Sequence, residues 1–437
     1  MHPVAERGSE HGYLIGKPQA WFAFVLSFLL MTFDFVDRQI VVSMFPYLKA
    51  EWDLSDRELG ALISIVSVTI ALGTLPLSLL VDHCSRVKGV VIMATVWSLA
   101  TIACAFAGTY QRLLLTRAFI GLGEAGYGPA AGAILSSVFP TRMRATIIGG
   151  FLAAASFGSV LGVVLGGVIA ARWGWKAAFG VVGVPGLVLA MLYMFVRDYR
   201  APTLAVKAPT GLHKVREIAF ELFRARSGIA AYFAGALQLI TGSTVLAWLP
   251  SFFNRVYGQP ADRAGIWAAG MIICVTLGVV FWSMLADRLA RRNIRLRMLT
   301  PAACCLATLL AFSFAFGAIS PGAAQICMIA LGCFLVGATT GPIPAVAIDV
   351  VHPALRSTAG SMVAIVQNLF GLGIGPLISG ALSDAFGLQT ALAIMPISCG
   401  LAAVLLVFGA RSYSADRARL ANFEVRADVA GAVPVAA

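Results

Sequence analysis

Long apolar runs dominate this sequence and restrict what the chain can fold into. The chain has 437 residues, of which 59% are hydrophobic and 12% are charged. Its apolar runs recur about every 30 residues, and a run of about 20 residues is long enough for a helix to cross a hydrocarbon core of roughly 30 Å. Because lipid offers backbone groups no hydrogen-bond partners, these runs predict transmembrane helices and an all-α membrane protein.

Twelve such runs are separated by polar or basic connections. They predict transmembrane helices at about 20–45, 58–81, 89–109, 113–138, 146–170, 177–196, 228–253, 264–286, 298–318, 323–348, 358–382 and 389–410. The polar residues before position 20 lead directly into a full-length run, so we expect no cleavable signal peptide.

The net charge of +12 is distributed unevenly among the predicted loops. With a cytoplasmic N-terminus, the inner segments hold 23 of the 32 Lys and Arg residues and the outer loops hold 7. This asymmetry is the positive-inside signal, so we expect both termini on the cytoplasmic side of a bacterial-type inner (plasma) membrane. The basic character is thus explained by topology, and no nucleic-acid partner is expected.

The two sets of six runs resemble each other across the longest connection. At an offset of 213 residues, Pro129 matches Pro342 and Gly162 matches Gly375. Internal duplication predicts two six-helix bundles, an architecture suited to alternating access around a central site. The predicted segments are a cytoplasmic N-terminal segment 1–19, a first bundle 20–196, a cytoplasmic linker 197–227, a second bundle 228–410 and a cytoplasmic tail 411–437.

Two predicted spans carry ionisable residues at mid-membrane depth, where each costs roughly 2.5–3.5 kcal/mol on insertion. Asp34, Asp37 and Arg38 lie in the first span, and Arg117 and Glu124 share one face of the fourth. Such groups must face the bundle interior, where they can pair or meet water. We therefore predict a central network of two acids and two bases, with Asp34 as a surplus acid.

The second half is a control for this network. Its matching positions hold Gln238 and Thr241 in span seven and Gly337 in span ten, none of them charged. Charges needed only to hold a bundle together would be expected in both halves, which favours a functional role in the first half. A structural ion-pair cluster remains the alternative, most of all for Asp34.

A carboxyl group buried at this depth is costly to ionise, so it could gain and lose a proton as the cavity alternates between faces. Arginines beside it could hold an anionic headgroup or a carboxylate. The predicted proton-coupling residues are Glu124, Asp37 and Asp34. The predicted substrate-binding residues are Arg38, Arg117, Tyr127, Gln238, Thr241 and Gln367, although aromatic and amide side chains in such helices often only pack.

The loop after span two, "SLLVDHCSRVK" (78–88), resembles the G-x-x-x-D-[RK]-x-G-[RK]-[RK] signature of the major facilitator superfamily. Serine replaces both glycines of the signature, and "SMLADRLARR" is a second copy. In that superfamily the loop closes the inner face through its Asp and a basic residue from a neighbouring helix end. The resemblance therefore implies a conformational latch that includes Asp82, Arg86, Arg144, Asp287 and Arg291, with Arg144 as the candidate partner of Asp82.

Within that superfamily, "VDRQI" in span one and "RAFIGLGEAGYGPA" in span four resemble the Spinster branch of lipid and lysolipid transporters. The organic-anion/proton symporter branch also has an Asp-Arg in span one and an Arg…Glu-Ala in span four. The resemblance covers essentially the whole chain and implies a secondary transporter of a lysolipid, another amphiphile or an anionic small molecule. A proton-coupled symporter of a small organic anion, such as a sugar acid, is the first alternative.

A membrane receptor or scaffold that binds without translocating is the alternative from another class, and the short tail argues against it. We expect no enzyme, no metal site and no cofactor, with a proton gradient as the energy source. The expected partners are a small-molecule or lipid substrate and the membrane lipids, and a monomer is expected.

Overall fold

A computed structural model of the chain describes residues 13–83, 85–198, 220–352 and 355–431. Side chains are described throughout these ranges except at positions 75, 78–83, 145, 357 and 420–431. Most of the predicted N-terminal segment and of the predicted linker lies outside the described residues.

The described residues are almost entirely helical. The helices, numbered in chain order after each range, are Lys17–Trp52 (α1), Asp56–His83 (α2), Arg86–Ala105 (α3), Tyr110–Glu124 (α4), Tyr127–Val138 (α5), Arg144–Trp173 (α6), Trp175–Tyr193 (α7), Arg226–Tyr257 (α8), Ala261–Ala290 (α9), Leu296–Gly317 (α10), Ala323–Val336 (α11), Pro342–Asp349 (α12), Arg356–Val366 (α13), Gly375–Phe386 (α14), Leu388–Ile394 (α15) and Ile397–Gly431 (α16). A π-helical turn, Gln367–Leu372, leads from α13 towards α14.

Eleven helical segments among the described residues are long and apolar enough to cross a membrane. The predicted fourth span, 113–138, is instead divided into α4 and α5, because the chain turns at Ala125 and Gly126. Pro129, in the first turn of α5, has no N–H with which to continue the hydrogen-bond ladder of α4. The single long helix expected from hydropathy is therefore two shorter ones that together cover the predicted span.

The chain forms two compact units by its internal contacts. The first consists of residues 1–203 with 246–273, and the second of residues 204–245 with 274–437. The predicted domain boundaries, which place all of 228–410 in the second bundle, stay a prediction.

Glycines set the contact between α1 and α6 in the first unit. A Cβ atom added to Gly158 would lie 2.3 Å from the carbonyl oxygen of Thr32, and one added to Gly162 would lie 2.6 Å from that of Val36. Small residues let two membrane helices approach until their backbones touch. This contact holds the part of α1 that carries the buried charges.

The second unit repeats this contact with the matching glycines. A Cβ atom on Gly371 would lie 2.8 Å from the Cβ atom of Leu239, and one on Gly375 would lie 2.8 Å from the carbonyl oxygen of Ile240. Both neighbours belong to α8, which corresponds to α1 in the duplication. The repeated glycines therefore mark the same helix contact in the two units.

An ion cluster around Asp56 joins three helix ends within the first unit. Its carboxylate lies 2.6 Å from the Lys49 ammonium and receives two hydrogen bonds, of 2.6 and 2.7 Å, from the Arg255 guanidinium. Asp56 is only 2% exposed, so its charge is compensated by contacts from α1 and from α8. The bidentate geometry ties the end of α8 to the start of α2.

We expect Gly162→Leu to lower the thermal midpoint of the purified protein by several degrees. The leucine side chain would meet the backbone of α1, and overpacking of this kind costs about 1–3 kcal/mol. The measurement is thermal unfolding in detergent, followed by tryptophan fluorescence. The matched control is Gly149→Leu in the same helix, where an added Cβ meets nothing within 4 Å. Equal midpoints for the two variants would contradict the proposed contact.

Candidate functional site

The buried charges of the first unit lie on α1 and α4. Asp34 and Asp37 are 3% and 1% exposed, and Arg117 and Glu124 are 1% and 4% exposed. Helical spacing brings Asp34 and Arg38 to one face of α1, one turn apart, and brings Arg117 and Glu124 to one face of α4. The structure thus brings together all five charged residues that the sequence predicts for the centre of this half.

Arg38 bridges two of the three acids. Its Nε donates to Asp34 Oδ1 at 2.7 Å, and its Nη2 lies 3.1 Å from Glu124 Oε2. The guanidinium also lies over the ring of Phe35, 4.9 Å from the centroid. The Arg38 side chain is 22% exposed, whereas the Glu124 side chain is fully buried. Arg38 is therefore the one member of this group that is accessible from outside the protein interior.

Glu124 is held by charge and not by hydrogen bonds. Neither of its carboxylate oxygens accepts a hydrogen bond from a described residue, and its contact with Arg38 is an ion pair at 3.1 Å. A buried carboxylate usually accepts several hydrogen bonds in its charged form. This arrangement leaves Glu124 less stabilised as an anion than Asp34, which accepts a short hydrogen bond from the same arginine.

Arg117 forms the second part of the cluster. Its Nη1 lies 3.3 Å from both the carboxylate and the backbone carbonyl oxygen of Asp37, and its Nε donates to the carbonyl oxygen of Leu62 at 3.3 Å. Its guanidinium therefore ties α4 to α1 and α2. The side chains of Arg117 and Asp37 are both 1% exposed. Their contact has the geometry of a structural ion pair as well as of a charge relay.

Glycines bring α4 close enough to its neighbours for these contacts. A Cβ atom on Gly121 would lie 2.4 Å from the carbonyl oxygen of Val66 in α2, and one on Gly123 would lie 2.7 Å from the backbone nitrogen of Trp97 in α3. Larger residues at these positions would move Arg117 and Glu124 away from α1.

Tyr127, a predicted substrate-binding residue, is buried beside the charge cluster. Its hydroxyl donates to the carbonyl oxygen of Ser27 at 2.6 Å, and its ring packs edge-on against Trp97, with centroids 5.1 Å apart. These contacts are those of a packing residue, and its predicted contact with substrate stays a prediction.

The predicted residues of the second unit make neutral hydrogen bonds. The Gln238 amide donates to the carbonyl oxygen of Val336, and its oxygen accepts from the Thr339 hydroxyl at 2.7 Å. Thr241 shares a 2.8 Å hydrogen bond with Ser398. Gln367 begins the π-helical turn. The amide of Gln238, which matches Asp34 in the repeat, thus links α8 to the end of α11.

The first predicted latch is only partly described. Asp82 lies in α2, but its side chain is outside the described residues. Arg86 begins α3, and Arg144 begins α6 with an exposed side chain. Ser85, which replaces a signature glycine, caps α3 and donates to Asp198 at 2.7 Å. The pairing of Asp82 with Arg144 stays a prediction.

The second copy of the latch contains residues that the sequence did not single out. Asp287 pairs with Arg297 at 3.2 Å, and Arg297 pairs with Asp349 at 2.6 Å. Asp349 also accepts a hydrogen bond from Tyr413 at 2.8 Å. Arg291, which the predicted latch includes, is exposed and makes no ion pair with the described part of the chain. The basic run around Arg297 is the signal in the sequence that could have pointed to this residue.

No cluster of three or more His, Cys, Asp or Glu side chains in the described ranges could hold a metal ion.

Comparisons with known proteins place this geometry in a family. The model of the Major Facilitator Superfamily matches residues 27–372. An MFS-type efflux pump of Mycolicibacterium smegmatis is 27% identical over 389 residues, which cover 88% of this chain and 89% of the relative. A hexuronate transporter of Bacillus subtilis is 24% identical over 371 residues, covering 82% and 87%. Protein spinster homolog 1 of Bos taurus is 28% identical over 381 residues, covering 80% and 70%.

A solved structure agrees with the family. A bacterial homologue of the human lysosomal transporter Spinster, in an inward-facing and unoccupied conformation, matches with a TM-score of 0.82 at 21% identity. The match covers 92% of this chain and 99% of that one. At this identity the similarity shows the fold, and it confirms the predicted all-α membrane fold. The chain belongs to the major facilitator superfamily, and it is a multi-pass membrane transporter related to Spinster and not an enzyme.

Proposed function

We propose that the protein is a proton-coupled secondary transporter that moves an anionic amphiphile of the lysolipid class by alternating access. The observation that carries this proposal is the composition of the buried cluster, in which three carboxyl groups face two guanidinium groups. With every group ionised, the cluster would bear one uncompensated negative charge in a low-dielectric interior. One bound proton makes it neutral, which is the cheapest state for a buried site.

Glu124 is the carboxyl group that we assign to this proton. It is fully buried and has no hydrogen bonds, whereas Asp34 and Asp37 each accept one from an arginine. A proton on Glu124 would also cancel its attraction for Arg38. Protonation at this residue therefore changes the charge available to a substrate, and this coupling is what a proton-driven transporter needs.

Arg38 is the residue that we assign to the anionic group of the substrate. It is partly exposed and always charged, and its planar guanidinium suits a phosphate or carboxylate. The ring of Phe35 beneath it adds an apolar surface next to the charge. An anionic headgroup beside apolar surface is the chemistry of an amphiphile.

The second unit supports a functional role for the charges. There a neutral amide, Gln238, links the helices that correspond to α1 and α4, through Val336 and Thr339. A link between these helices therefore does not require charge. Buried ion pairs that cost more than neutral hydrogen bonds indicate a task beyond holding the helices together.

A small organic anion is the second candidate substrate. Curated relatives include a hexuronate transporter and a gallate transporter, each named for a carboxylate-bearing cargo. Arg38 could hold such a carboxylate without help from an acyl chain. Placement in a bacterial-type inner membrane with cytoplasmic termini rests on the charge asymmetry of the loops. A monomeric state completes the proposal.

The test of this proposal is flux into liposomes that contain the purified protein, with and without an imposed pH gradient. We expect a fluorescent lysophospholipid to move faster with the gradient, and a labelled hexuronate to move at the rate of protein-free liposomes. Movement of the hexuronate alone would favour the organic-anion candidate. No gradient-dependent movement of either would contradict proton coupling.

We expect Glu124→Gln to abolish pH-gradient-driven transport while sparing expression and folding. Glutamine keeps the size of the side chain but cannot exchange a proton, so uptake should fall to the rate measured without a gradient. The control is Glu58→Gln, which removes an acid that caps the start of α2 outside the cluster. Normal gradient-driven uptake by Glu124→Gln would exclude this residue as the proton site.

We expect Arg117→Ala to destabilise the protein more than Arg117→Ala combined with Asp37→Asn. Removal of one partner of a buried ion pair leaves the other charge uncompensated, at a cost of about 3–5 kcal/mol, and neutralising that partner recovers part of it. Thermal midpoints of the single and double variants provide the measurement. Additive losses would show that the two side chains do not depend on each other.

Asp287 pairs with Arg297, whereas the predicted latch includes Arg291, and one pair of variants separates the roles of the two arginines. We expect Arg297→Gln to lower the initial transport rate several-fold, because it frees both Asp287 and Asp349. Arg291→Gln should leave the rate nearly unchanged. The measurement is initial flux in the same liposomes. A larger loss from Arg291→Gln would favour the sequence-based latch.

A further inference from the structure

A groove on the second unit lies between the start of α8 and the middle of α16. Its cavity has a volume of about 490 Å³, and it is separate from the charge cluster of the first unit. Arg226 lines it from α8, and Arg411 and Ser412 line it from α16. Both arginines stand at a boundary of a predicted span, where hydrocarbon meets headgroups.

The groove is polar at one end and apolar at the other. From Arg226, α8 continues to Ile229, about 4.5 Å deeper, and from Arg411, α16 leads back to Phe408 and Leu405, about 4.5 and 9 Å deeper. The two helices run in opposite directions along the groove, so their arginines share one level and their apolar side chains another. This arrangement matches a ligand with a charged head and an apolar tail.

Tight packing defines the floor and the register of the groove. A Cβ atom on Gly409 would lie 2.7 Å from the Cβ atom of Ala230, so α8 and α16 touch there. Asp416 accepts hydrogen bonds from the backbone N–H and the hydroxyl of Ser227, at 3.0 and 2.6 Å. Its carboxylate is therefore engaged by the protein. These contacts hold the two arginines on opposite sides of a preformed cavity.

The arginines carry charge that the described protein leaves uncompensated. Neither Arg226 nor Arg411 forms an ion pair with a described residue, and the Arg411 guanidinium lies over the ring of Phe408, 5.1 Å from its centroid. Basic pockets between transmembrane helices at the membrane surface bind anionic lipid headgroups. Guanidinium groups also match the geometry of phosphate oxygens.

We propose that this groove binds an anionic phospholipid of the surrounding bilayer, with its phosphate between Arg226 and Arg411 and an acyl chain along Ile229, Phe408 and Leu405. The Ser412 hydroxyl, which donates to the Gly409 carbonyl at 3.2 Å, keeps its oxygen free to accept from a glycerol headgroup. The lipid stabilises the contact of α8 with α16 and is not the transported cargo. The site does not depend on the proposed substrate or on proton coupling.

The experiment titrates the full-length protein, delipidated in neutral detergent, with phosphatidylglycerol and measures lipid occupancy by native mass spectrometry. Each arginine near a membrane surface contributes roughly fivefold to anionic lipid binding. We therefore expect Arg226→Gln combined with Arg411→Gln to weaken binding about 30-fold, and Arg226→Lys combined with Arg411→Lys to retain most of it.

Three controls identify the ligand. Phosphatidylcholine should bind weakly to the natural sequence, and inorganic phosphate alone should raise its thermal midpoint by less than one degree. Arg142→Gln combined with Arg288→Gln removes the same charge from exposed positions elsewhere and should leave lipid binding unchanged. Equal phosphatidylglycerol binding by the groove variant and the natural sequence would overturn the proposal. An equal loss in the control variant, or a phosphate effect as large as that of the lipid, would also overturn it.

Discussion

The hydrocarbon core of the membrane offers no partners for charges or hydrogen-bonding groups, and this constraint organises the whole protein. Helices satisfy the backbone within each span, but buried charges need partners: Asp37 pairs with Arg117, and Glu124 pairs with Arg38. The glycine contact between α1 and α6, and the glycines of α4, place these side chains close enough to do so. The helices that pack closely through small residues are therefore the same helices whose buried charges neutralise one another.

The two units share a helical scaffold but differ in the side chains that link their helices. Matching glycines join α1 to α6 in one and α8 to the π-helical turn and α14 in the other. Where Arg38 reaches Glu124 in the first unit, Gln238 reaches Val336 and Thr339 in the second. Duplication thus preserved the link between helices, while among the matched positions only those of the first copy carry ionisable groups. Under the proposed function, this confinement provides a single place where a proton and an anion can compete for the same arginine.

Helical periodicity predicted that the charges of α1 and α4 would meet, because residues three or four apart share a face and the two spans put them at similar depth. It did not predict which groups pair. Arg38 pairs with two acids and Arg117 pairs with one. This choice of partners depends on side-chain rotamers and on the distance between helices. Arg297 was missed for a related reason: it lies ten residues after Asp287, and only the path of the connection from α9 to α10 brings the two together.

The sequence by itself determined the membrane-spanning helices, the duplication and the set of buried ionisable residues, since hydropathy, repeat spacing and charge can be recognised in the residues alone. The tertiary structure decided the division of the fourth span at Gly126, the hydrogen bonds of Gln238 and the groove between Arg226 and Arg411. The break at Gly126 accompanies Pro129 nearby in the sequence, but the hydrogen bonds of Gln238 and the groove arise where two segments distant in sequence touch. Their energies depend on separations of a few ångströms between helices, and no local pattern of residues specifies such distances.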